Sequence, residues 1–409
     1  MPSDHYSDSG ETLSRAEIEQ NQSKLFKETI HHAYQNSQFY RKSFQQASLA
    51  ADDIKSIGDL QNINFFTTKD DLRKTYPFGF LSVPLSQVAE IHATSGTTGI
   101  PTLGFHTKKD LSDWGKIAAR SLTMSGLHEG DVFQITPSFG MFSGGFGFYH
   151  GAREIGATIV PSSSGFSKRQ LQFMKDFGTT MFAAIVSYAF RLAEVAEEIG
   201  FDLKKDAKVR KGIFGSETWT KESKRRLANT WDLEPFDVYG FTELYGPGVG
   251  SDCRVHDGLH IWEDYFLVEV INPKTGEVLG PEEEGELVFT TLRKEAMPLI
   301  RYRSRDISFL LDSLSCDCGR THRRYSEIKG RTDDMLKISG INFWPSQLES
   351  ILLKEDQLGP EYRIKIERVN SMDALTVEVE SLEKNLSNAK KELIAHNLAK
   401  DLHELQLSL

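Results

Sequence analysis

Strand-like and helix-like segments alternate regularly through the middle of this chain. Between residues 131 and 239 short apolar runs are separated by amphipathic stretches. Such alternation is typical of an α/β domain built around a parallel sheet, in which ligand sites lie at strand ends. The strands are predicted at 131–135, 157–160, 180–186, 211–214 and 236–239, and the helices at 144–154, 168–177, 188–199 and 221–230.

The segments on either side follow other patterns. Apolar residues recur at three- and four-residue spacing from 14 to 44, which predicts a long helix. Residues 1–12 are polar, and we expect them to pack loosely. Between 260 and 311 helical patterns fade, and the runs at 266–271 and 285–289 predict antiparallel strands or a small barrel.

A polar stretch at 330–334 predicts a domain junction. The residues beyond it predict a small α+β unit, with a helix at 345–353, strands near 362–368 and 374–380 and a helix from about 382. The final residues, 402–409, are typical of a strand that is cut short, so we expect this unit to be truncated.

Composition restricts the class of protein. The chain has 409 residues, a net charge of -10 and three cysteines. The negative charge argues against nonspecific nucleic-acid binding. We find neither a run of membrane-spanning length nor a secretory signal pattern. An odd number of cysteines argues against a disulfide framework and fits the cytoplasm.

The loop at residues 94–99 has the sequence TSGTTG and follows a strand-like run at 88–93. Its glycines and hydroxyls cannot form a packed helix or strand, but they can wrap backbone N–H groups around phosphate oxygens. It lacks the Lys-Ser/Thr ending of P-loop NTPases. A solvated linker is the alternative interpretation, but linkers rarely follow a strand directly. We therefore interpret the loop as a phosphate-binding site.

Further polar clusters follow predicted strands, at 215–217, 239–243 and 301–306. An acidic residue at a strand end is more often a helix cap or a solvated charge than a catalytic group. Each cluster alone is therefore a weak signal, but their order along the chain is more specific.

In that order the motifs resemble those of the adenylate-forming superfamily, and within it the phenylacetate–coenzyme A ligase family. The resemblance runs from the N-terminal helix to about residue 380. The motifs that carry it are SGTTG at 95–99, GMFSGGFG at 140–147, YGFTE at 239–243, GPGV at 246–249, GLH at 258–260, KEAMPLIRYR at 294–303, CDCGR at 316–320 and GRTDDML at 330–336.

The resemblance implies an α/β fold with a large N-terminal adenylate-forming domain, residues 1–330, made of parallel sheets with helices and a small barrel-like part. A small mobile α+β C-terminal domain, residues 331–409, would follow, with Asp333 at the hinge. It also implies an aryl–coenzyme A ligase, an AMP-forming acid–thiol ligase. Such an enzyme activates an aromatic carboxylate such as phenylacetate or anthranilate with ATP and Mg²⁺, and transfers the acyl group to coenzyme A.

Roles at the nucleotide site follow from the same resemblance. Thr242 would lie near the α-phosphate, Glu243 would hold Mg²⁺, and Asp306 would bind the ribose hydroxyls. Thr242 and Glu243 are the expected catalytic residues. The expected ATP-binding residues are Ser95, Gly96, Thr97, Thr98, Gly99, Gly215, Ser216, Glu217, Tyr239, Gly240, Phe241, Thr242, Asp306 and Arg331.

The acyl site should lie between the loop after residue 138, the 185–188 segment and the 239–248 loop. Aromatic rings there would provide flat apolar walls, although any one phenylalanine could instead belong to the core. The expected acyl-site residues are Phe139, Gly140, Phe142, Ile185, Phe214, Ser216, Tyr239, Gly240, Gly246, Pro247 and Gly248.

The cysteines predict a structural metal site. Three thiolates and one histidine make a closed tetrahedral zinc site. Cys253, Cys316, Cys318 and His260 are the expected ligands, and His260 lies at the position that the family uses. His256 is the rival fourth ligand, and free buried cysteines are the alternative.

Two departures from the family affect the functional prediction. Ile100 replaces the usual lysine of the phosphate loop, and no lysine-containing glycine loop follows residue 405. An acyl-adenylate binding or carrier-loading protein that does not use free coenzyme A is therefore the alternative function. The expected partners are the aromatic acid, ATP and coenzyme A, without nucleic acid or membrane, and a homodimer stays an open alternative.

Overall fold

The computed structural model describes residues 5–6, 9–94, 99–338, 341–355, 357–369, 372–383 and 387–408. Within these ranges the α-helices are Arg15–Asn36 (α1), Gln38–Gln46 (α2), Lys69–Lys74 (α3), Lys108–Met124 (α4), Ser143–Ile155 (α5), Ser167–Phe177 (α6), Val186–Ile199 (α7), Lys221–Trp231 (α8), Pro345–Leu352 (α9) and Asn388–Ser408 (α10).

The strands of the same ranges are Val88–Ala93 (β1), Leu103–Thr107 (β2), Val132–Ile135 (β3), Thr158–Val160 (β4), Met181–Ile185 (β5), Lys211–Gly215 (β6), Glu234–Phe241 (β7), Gly246–Asp252 (β8), Leu259–Ile261 (β9), Phe266–Ile271 (β10), Gly285–Thr291 (β11), Tyr302–Ser308 (β12), Arg324–Tyr325 (β13), Gly330–Arg331 (β14), Leu336–Ile338 (β15), Ile341–Phe343 (β16), Leu358–Val369 (β17) and Met372–Ser381 (β18).

The predicted parallel sheet is confirmed. Strands β4, β3, β5, β6 and β7 lie parallel in that order, and β8, β9 and β13 extend the sheet in antiparallel fashion. Alternate residues of β5 face opposite layers: Phe182 and Ala184 pack with α6 to α8, and Met181 and Ala183 pack with α4 and α5. The carboxyl ends of β5, β6 and β7 therefore meet at one edge.

The long helix predicted over 14–44 is two helices. Ser14 begins α1 with a capping box that it shares with Glu17. Ser37 adopts an extended backbone, ends α1 and caps α2. The expectation that residues 1–12 pack loosely is wrong at Glu11, which is buried in an ion pair with Arg320.

The second sheet is antiparallel, as the sequence predicts for 260–311. Its order is β10–β11–β12–β14. The pairing of β12 with β14 sets Asp306 opposite Arg331, which brings a residue of the predicted junction to the predicted nucleotide site.

The C-terminal domain is small and has its own apolar core, which includes Leu348, Leu352 and Ile394. The interpretation of 402–409 as a strand is wrong for residues 402–408, which continue α10. The chain from 388 onward is rich in good helix formers, and a short apolar run fits either element. No helix in the described ranges combines the length and apolar character that a membrane span requires.

Candidate functional site

Two cavities adjoin at the carboxyl edge of the parallel sheet. The larger has a volume of about 550 Å³ and the smaller about 280 Å³. Both are lined by Ser216, Val238, Gly240 and Phe241, so the ends of β6 and β7 form the wall between them. A ligand in one cavity can therefore reach a ligand in the other across this wall.

The turn that joins β7 to β8 carries the two expected catalytic residues. Both Thr242 and Glu243 line the larger cavity. The Thr242 hydroxyl lies 3.1 Å from the Ser143 hydroxyl, at the start of α5. The buried Glu243 carboxylate accepts a hydrogen bond of 2.7 Å from Thr102, and the ammonium of Lys69 lies 3.8 Å away.

The expected phosphate loop lies largely outside the described residues, because Ser95, Gly96, Thr97 and Thr98 are not among them. Its ends are described. The Thr94 amide donates to the carbonyl of Thr102, and the Thr102 amide donates to the Thr94 hydroxyl. Gly99 is exposed with a φ of 121°, in the region that favours glycine. Thr94 and Thr102, which flank the loop, therefore pair with each other, and Thr102 in turn contacts Glu243.

The smaller cavity contains a buried carboxylate. Asp306 accepts hydrogen bonds from the Tyr239 hydroxyl at 2.5 Å and from the Arg331 guanidinium at 2.9 Å. Burial raises the pKa of Asp306 to about 6, although Arg331 opposes that shift. The structure thus brings together three of the residues predicted for the nucleotide.

The segment after β6 lies on the wall between the cavities. Gly215 lines the larger cavity, Glu217 lines the smaller one, and Ser216 lines both. Ser216 has a φ of 68°, which is strained for a residue other than glycine. The Glu217 carboxylate accepts hydrogen bonds from the amide and the hydroxyl of Ser187, both at 2.7 Å. It therefore also caps the start of α7.

The larger cavity has walls suited to an apolar ligand. Phe142, Ile185 and Pro247 line it together with Gly240, as predicted for the acyl site, and Phe142 and Ile185 are partly exposed. Tyr239 lines the smaller cavity instead.

Other residues expected to line the acyl site lie elsewhere. Phe214 is fully buried and packs against Phe182 and Trp219, so the cavity is formed without its ring. Phe139 contacts Phe146 and Tyr149, and its neighbour in the loop, Gly140, is exposed.

Gly246 and Gly248 allow β8 to approach α4 closely. A Cβ atom on Gly246 would lie 2.6 Å from the Trp114 ring, and one on Gly248 would lie 3.1 Å from the Ala118 backbone. Both residues have a positive φ, of 110° and 103°. Neither lines the larger cavity, so their glycine identity is explained by helix packing.

The expected hinge residue belongs to an ion-pair network. The Arg331 Nε donates to Asp333 at 3.0 Å, and Arg305 donates to the other carboxylate oxygen at 3.1 Å. Partial burial would raise the pKa of Asp333, but Arg331 and then Arg305 hold it below its usual range.

The structure brings three cysteines and one histidine together. The possible ligand atoms of Cys253, His260, Cys316 and Cys318 all lie within 4.8 Å of one another. His256 does not join them, since it pairs with Asp252 at 2.6 Å. The cluster connects the β8–β9 turn with the loop before β13, and its soft thiolates and imidazole suit a tetrahedral zinc ion.

Residues of the larger cavity or its margin that were not predicted include Lys69, which lines the cavity, and Thr102, which donates to Glu243. Thr68 and Asp71 form a capping box around Lys69, and this Thr-x-x-Asp pattern predicts the start of α3. That signal identifies a helix start, but it does not show that the helix points at Glu243.

Comparisons with known proteins agree with this architecture. A family model of AMP-binding enzymes matches residues 13–292, and a model of the AMP-binding enzyme C-terminal domain matches residues 340–408. The fold and the paired cavities thus define an adenylate-forming enzyme. The phenylacetate–coenzyme A ligase of Aromatoleum evansii is 41% identical over 396 residues, 96% of this chain and 89% of the relative. That of Escherichia coli K12 is 41% identical over 379 residues, 92% and 85% of the two chains. The chain belongs to the phenylacetate–coenzyme A ligase family.

Solved structures support the fold over almost the whole chain. A 2-hydroxyisobutyryl-CoA ligase in the postadenylation state, in complex with 2-HIB-AMP, superposes with a TM-score of 0.92 at 26% identity, covering 98% of this chain and 88% of that one. The same enzyme in the thioesterification state, in complex with 2-HIB-AMP and CoA, gives 0.77 at 26% identity, covering 97% and 89%. The arrangement described here is therefore more similar to the postadenylation state.

Proposed function

We propose that this chain is an aryl–coenzyme A ligase that activates an aromatic carboxylate with ATP and releases AMP. The observation that carries this proposal is the wall shared by the two cavities. An aromatic acid in the larger, apolar cavity and a nucleotide in the smaller one meet at Gly240 and Phe241, beside Thr242.

Two balanced steps fit this site. In the first, a carboxylate oxygen of the acid attacks the α-phosphorus of ATP, the bond to the β-phosphate breaks, and pyrophosphate leaves. In the second, the sulfur of coenzyme A attacks the acyl carbon, its proton is lost, and AMP leaves. Adenylation replaces an oxide leaving group with AMP, which is why the acid needs ATP.

Thr242 and Glu243 act in the first step. The Thr242 hydroxyl donates to the α-phosphate, where charge develops. Glu243 supplies a carboxylate oxygen, a hard ligand that suits Mg²⁺, and Thr102 orients it. Mg²⁺ bound there would neutralise part of the triphosphate charge.

The nucleotide is held by Asp306 and by the phosphate loop. Asp306 accepts hydrogen bonds from the ribose hydroxyls, and Arg331 orients its carboxylate. Gly215, Ser216 and Glu217 form the adenine slot with Tyr239. Residues 95–99 bind the phosphates through their amides and hydroxyls.

The acid is selected by an apolar cavity. Phe142, Ile185 and Pro247 provide apolar walls, and the 139–143 loop has no lysine or arginine. Lys69 also lines the cavity, but its ammonium lies 3.8 Å from the Glu243 carboxylate. A second carboxylate would therefore be buried without a cation of its own, so dicarboxylates are poor substrates. Phenylacetate is the first acid to test. Anthranilate and salicylate follow, because the Ser216 hydroxyl can bond a ring amino or hydroxyl group.

We assign residues 1–330 to the adenylation domain and 331–409 to a C-terminal domain that turns about Asp333 between the two steps. The two domains are joined by polar contacts. One of them is the hydrogen bond of 2.7 Å that the Ser223 hydroxyl donates to the Glu349 carboxylate. Such contacts can be exchanged at small cost, as a hinged closure requires.

The cysteine cluster is proposed to hold a structural zinc ion through Cys253, His260, Cys316 and Cys318. Four protein ligands, three thiolates and one imidazole, would leave no open position for catalysis. The cysteines are free thiols, which fits the cytoplasm as the proposed compartment. Neither nucleic acid nor a membrane is a proposed partner. A homodimer is an alternative to the monomer, and measuring the oligomeric state would decide between them.

Acid-dependent exchange of labelled pyrophosphate into ATP tests the first step. We expect exchange with an aromatic acid in the absence of coenzyme A. No exchange with any acid of an aromatic panel would contradict the proposal. Transfer to a carrier-protein pantetheine but not to free coenzyme A would favour the carrier-loading alternative.

A further inference from the structure

Lys294 is a buried lysine that the roles above do not use. It lies between β11 and β12, begins the KEAMPLIRYR motif and is 2% exposed. Its ammonium donates to the main-chain carbonyl oxygens of Glu243, at 3.3 Å, and of Leu244. It also lies 4.8 Å from the centre of the Tyr245 ring. One ammonium thus contacts three consecutive residues of the turn that carries Glu243.

The surroundings fix this lysine in place. Asp110, on α4, accepts hydrogen bonds from the amides of Glu295 and Ala296, at 2.7 and 3.0 Å. These hydrogen bonds hold the backbone directly after Lys294 in place, so the position from which the lysine side chain extends is fixed. In the described part of the chain, both of its hydrogen bonds end on carbonyls of the turn.

The charge is expensive to bury. Burial lowers the pKa of Lys294 to about 7, and the carboxylates of Asp110 and Glu243 oppose that shift. His106, from β2, adds no second cation, because burial and then the charge of Lys294 hold the pKa of its imidazole well below the usual range. A buried ammonium is costly unless it is hydrogen-bonded, and the hydrogen bonds that offset the cost here are those to the catalytic turn.

We propose that Lys294 is a positioning residue for the first half-reaction. It draws the carbonyls of Glu243 and Leu244 inward, and this leaves the Thr242 hydroxyl and the Glu243 carboxylate facing the larger cavity. Without it, the turn can rotate its carbonyls toward the cavity, and the Glu243 carboxylate loses the position that it needs for Mg²⁺. The inference rests on the proposed function, in which Glu243 holds that ion.

The test compares Lys294→Met with the wild-type full chain in pyrophosphate exchange, over a range of Mg²⁺ concentrations. We expect the rate of exchange to fall by roughly 30-fold or more, which is the order of effect of losing a charged contact. The Mg²⁺ concentration for half-maximal exchange should rise severalfold. The KM for the aromatic acid should stay within about threefold, because the acid does not contact the turn's carbonyls. A residue that only supports the core would not raise the Mg²⁺ requirement.

Thr29→Val is the matched control. Thr29 is buried and donates to the carbonyl of Leu292 at 3.0 Å, two residues from Lys294. The Thr29→Val variant should leave the Mg²⁺ requirement for exchange unchanged. If it raises that requirement as much as Lys294→Met does, any disturbance of the segment suffices and the proposal is overturned.

Lys294→Gln keeps two N–H donors without the charge and should fall between the methionine variant and the wild type. If both Lys294 variants fail to fold while Thr29→Val folds, Lys294 is a residue of the core and the proposal is overturned. Unchanged exchange and Mg²⁺ requirement in a folded Lys294→Met would also overturn it. An inactive wild-type chain would instead contradict the proposed function itself.

Discussion

Replacing Asp306 with asparagine should make the protein more stable and much less active. Burial raises the pKa of this carboxyl group from its ordinary value of 3.8 to about 6, although Arg331 opposes the shift. A difference of that size corresponds to about 3 kcal/mol between the two protonation states. The folded protein therefore resists ionising a group that the proposed ribose contact needs as a carboxylate.

The sign of the effect depends on pH. Below pH 3.8 the Asp306 carboxyl group is neutral in both the folded and the unfolded protein, so its ionisation does not affect the free energy of unfolding. As the pH rises from 3.8 through about 6, the unfolded protein ionises the group more readily than the folded protein does, and stability is lost. Asp306→Asn, a neutral isostere, should therefore match the wild type near pH 4 and be about 3 kcal/mol more stable at pH 8.

The activity should change in the opposite direction. Two hydrogen bonds from ribose hydroxyls to a charged acceptor are worth about 3–4 kcal/mol together. We expect kcat/KM for ATP to fall by roughly 10²–10³-fold at pH 8. In the wild type the same parameter should decline as the pH falls through about 6, when Asp306 becomes protonated.

Thermal unfolding at pH 4 and pH 8 and pyrophosphate exchange at pH 8 measure both effects. The control is Asp334→Asn, because Asp334 is an exposed carboxylate 3.8 Å from the same arginine. It should change stability by less than about 0.5 kcal/mol. A less stable Asp306→Asn at pH 8, or a fully active one, would refute the reasoning.

Three further predictions follow from the site. Glu243→Gln should lower pyrophosphate exchange by about 10²–10³-fold with little loss of thermal stability, and wild-type exchange in that variant would remove Glu243 from the catalytic residues. Purified protein should contain about one zinc per chain, and Cys318→Ser should lose the metal and unfold at a lower temperature; protein prepared without chelators but free of zinc would contradict this site. In a panel of phenylacetate, benzoate, anthranilate, salicylate and octanoate, an aromatic acid should have the highest kcat/KM, and Ser216→Ala should reduce that for anthranilate more than that for phenylacetate. An octanoate preference would show that the aromatic-site interpretation is wrong.

Much of the fold could be predicted from the sequence, because hydrophobic periodicity is strong where strands are buried and helices are amphipathic. The strand at 211–215 shows what hydrophobic periodicity does not predict, namely the contacts of each buried side chain. Ile213 and Phe214 are both apolar, so the sequence alone does not show which neighbours each one contacts. The structure places them in different core clusters, and Phe214 does not reach the larger cavity.

The site was predictable because the order of its polar clusters resembles that of the family. Thr242 and Glu243 follow β7 as expected, whereas Asp306 lies within β12 rather than after a strand. Lys69 and Lys294 could not be found in this way, since each reaches Glu243 from a segment distant in sequence. Such contacts depend on the packing of α3 and of the β11–β12 connection, which local patterns do not encode. The strand predicted at 402–409 failed for a different reason, because a short apolar run fits a helix equally well.

Product analysis of the full reaction tests most directly whether the protein is an aryl–coenzyme A ligase. The purified chain is incubated with ATP, Mg²⁺, phenylacetate or another aromatic acid of the panel, and coenzyme A, and the products are quantified by chromatography and mass spectrometry. We expect equal amounts of AMP and aryl–coenzyme A thioester, formed only when the acid and coenzyme A are both present. ADP as the nucleotide product, or AMP without thioester at saturating coenzyme A, would contradict it.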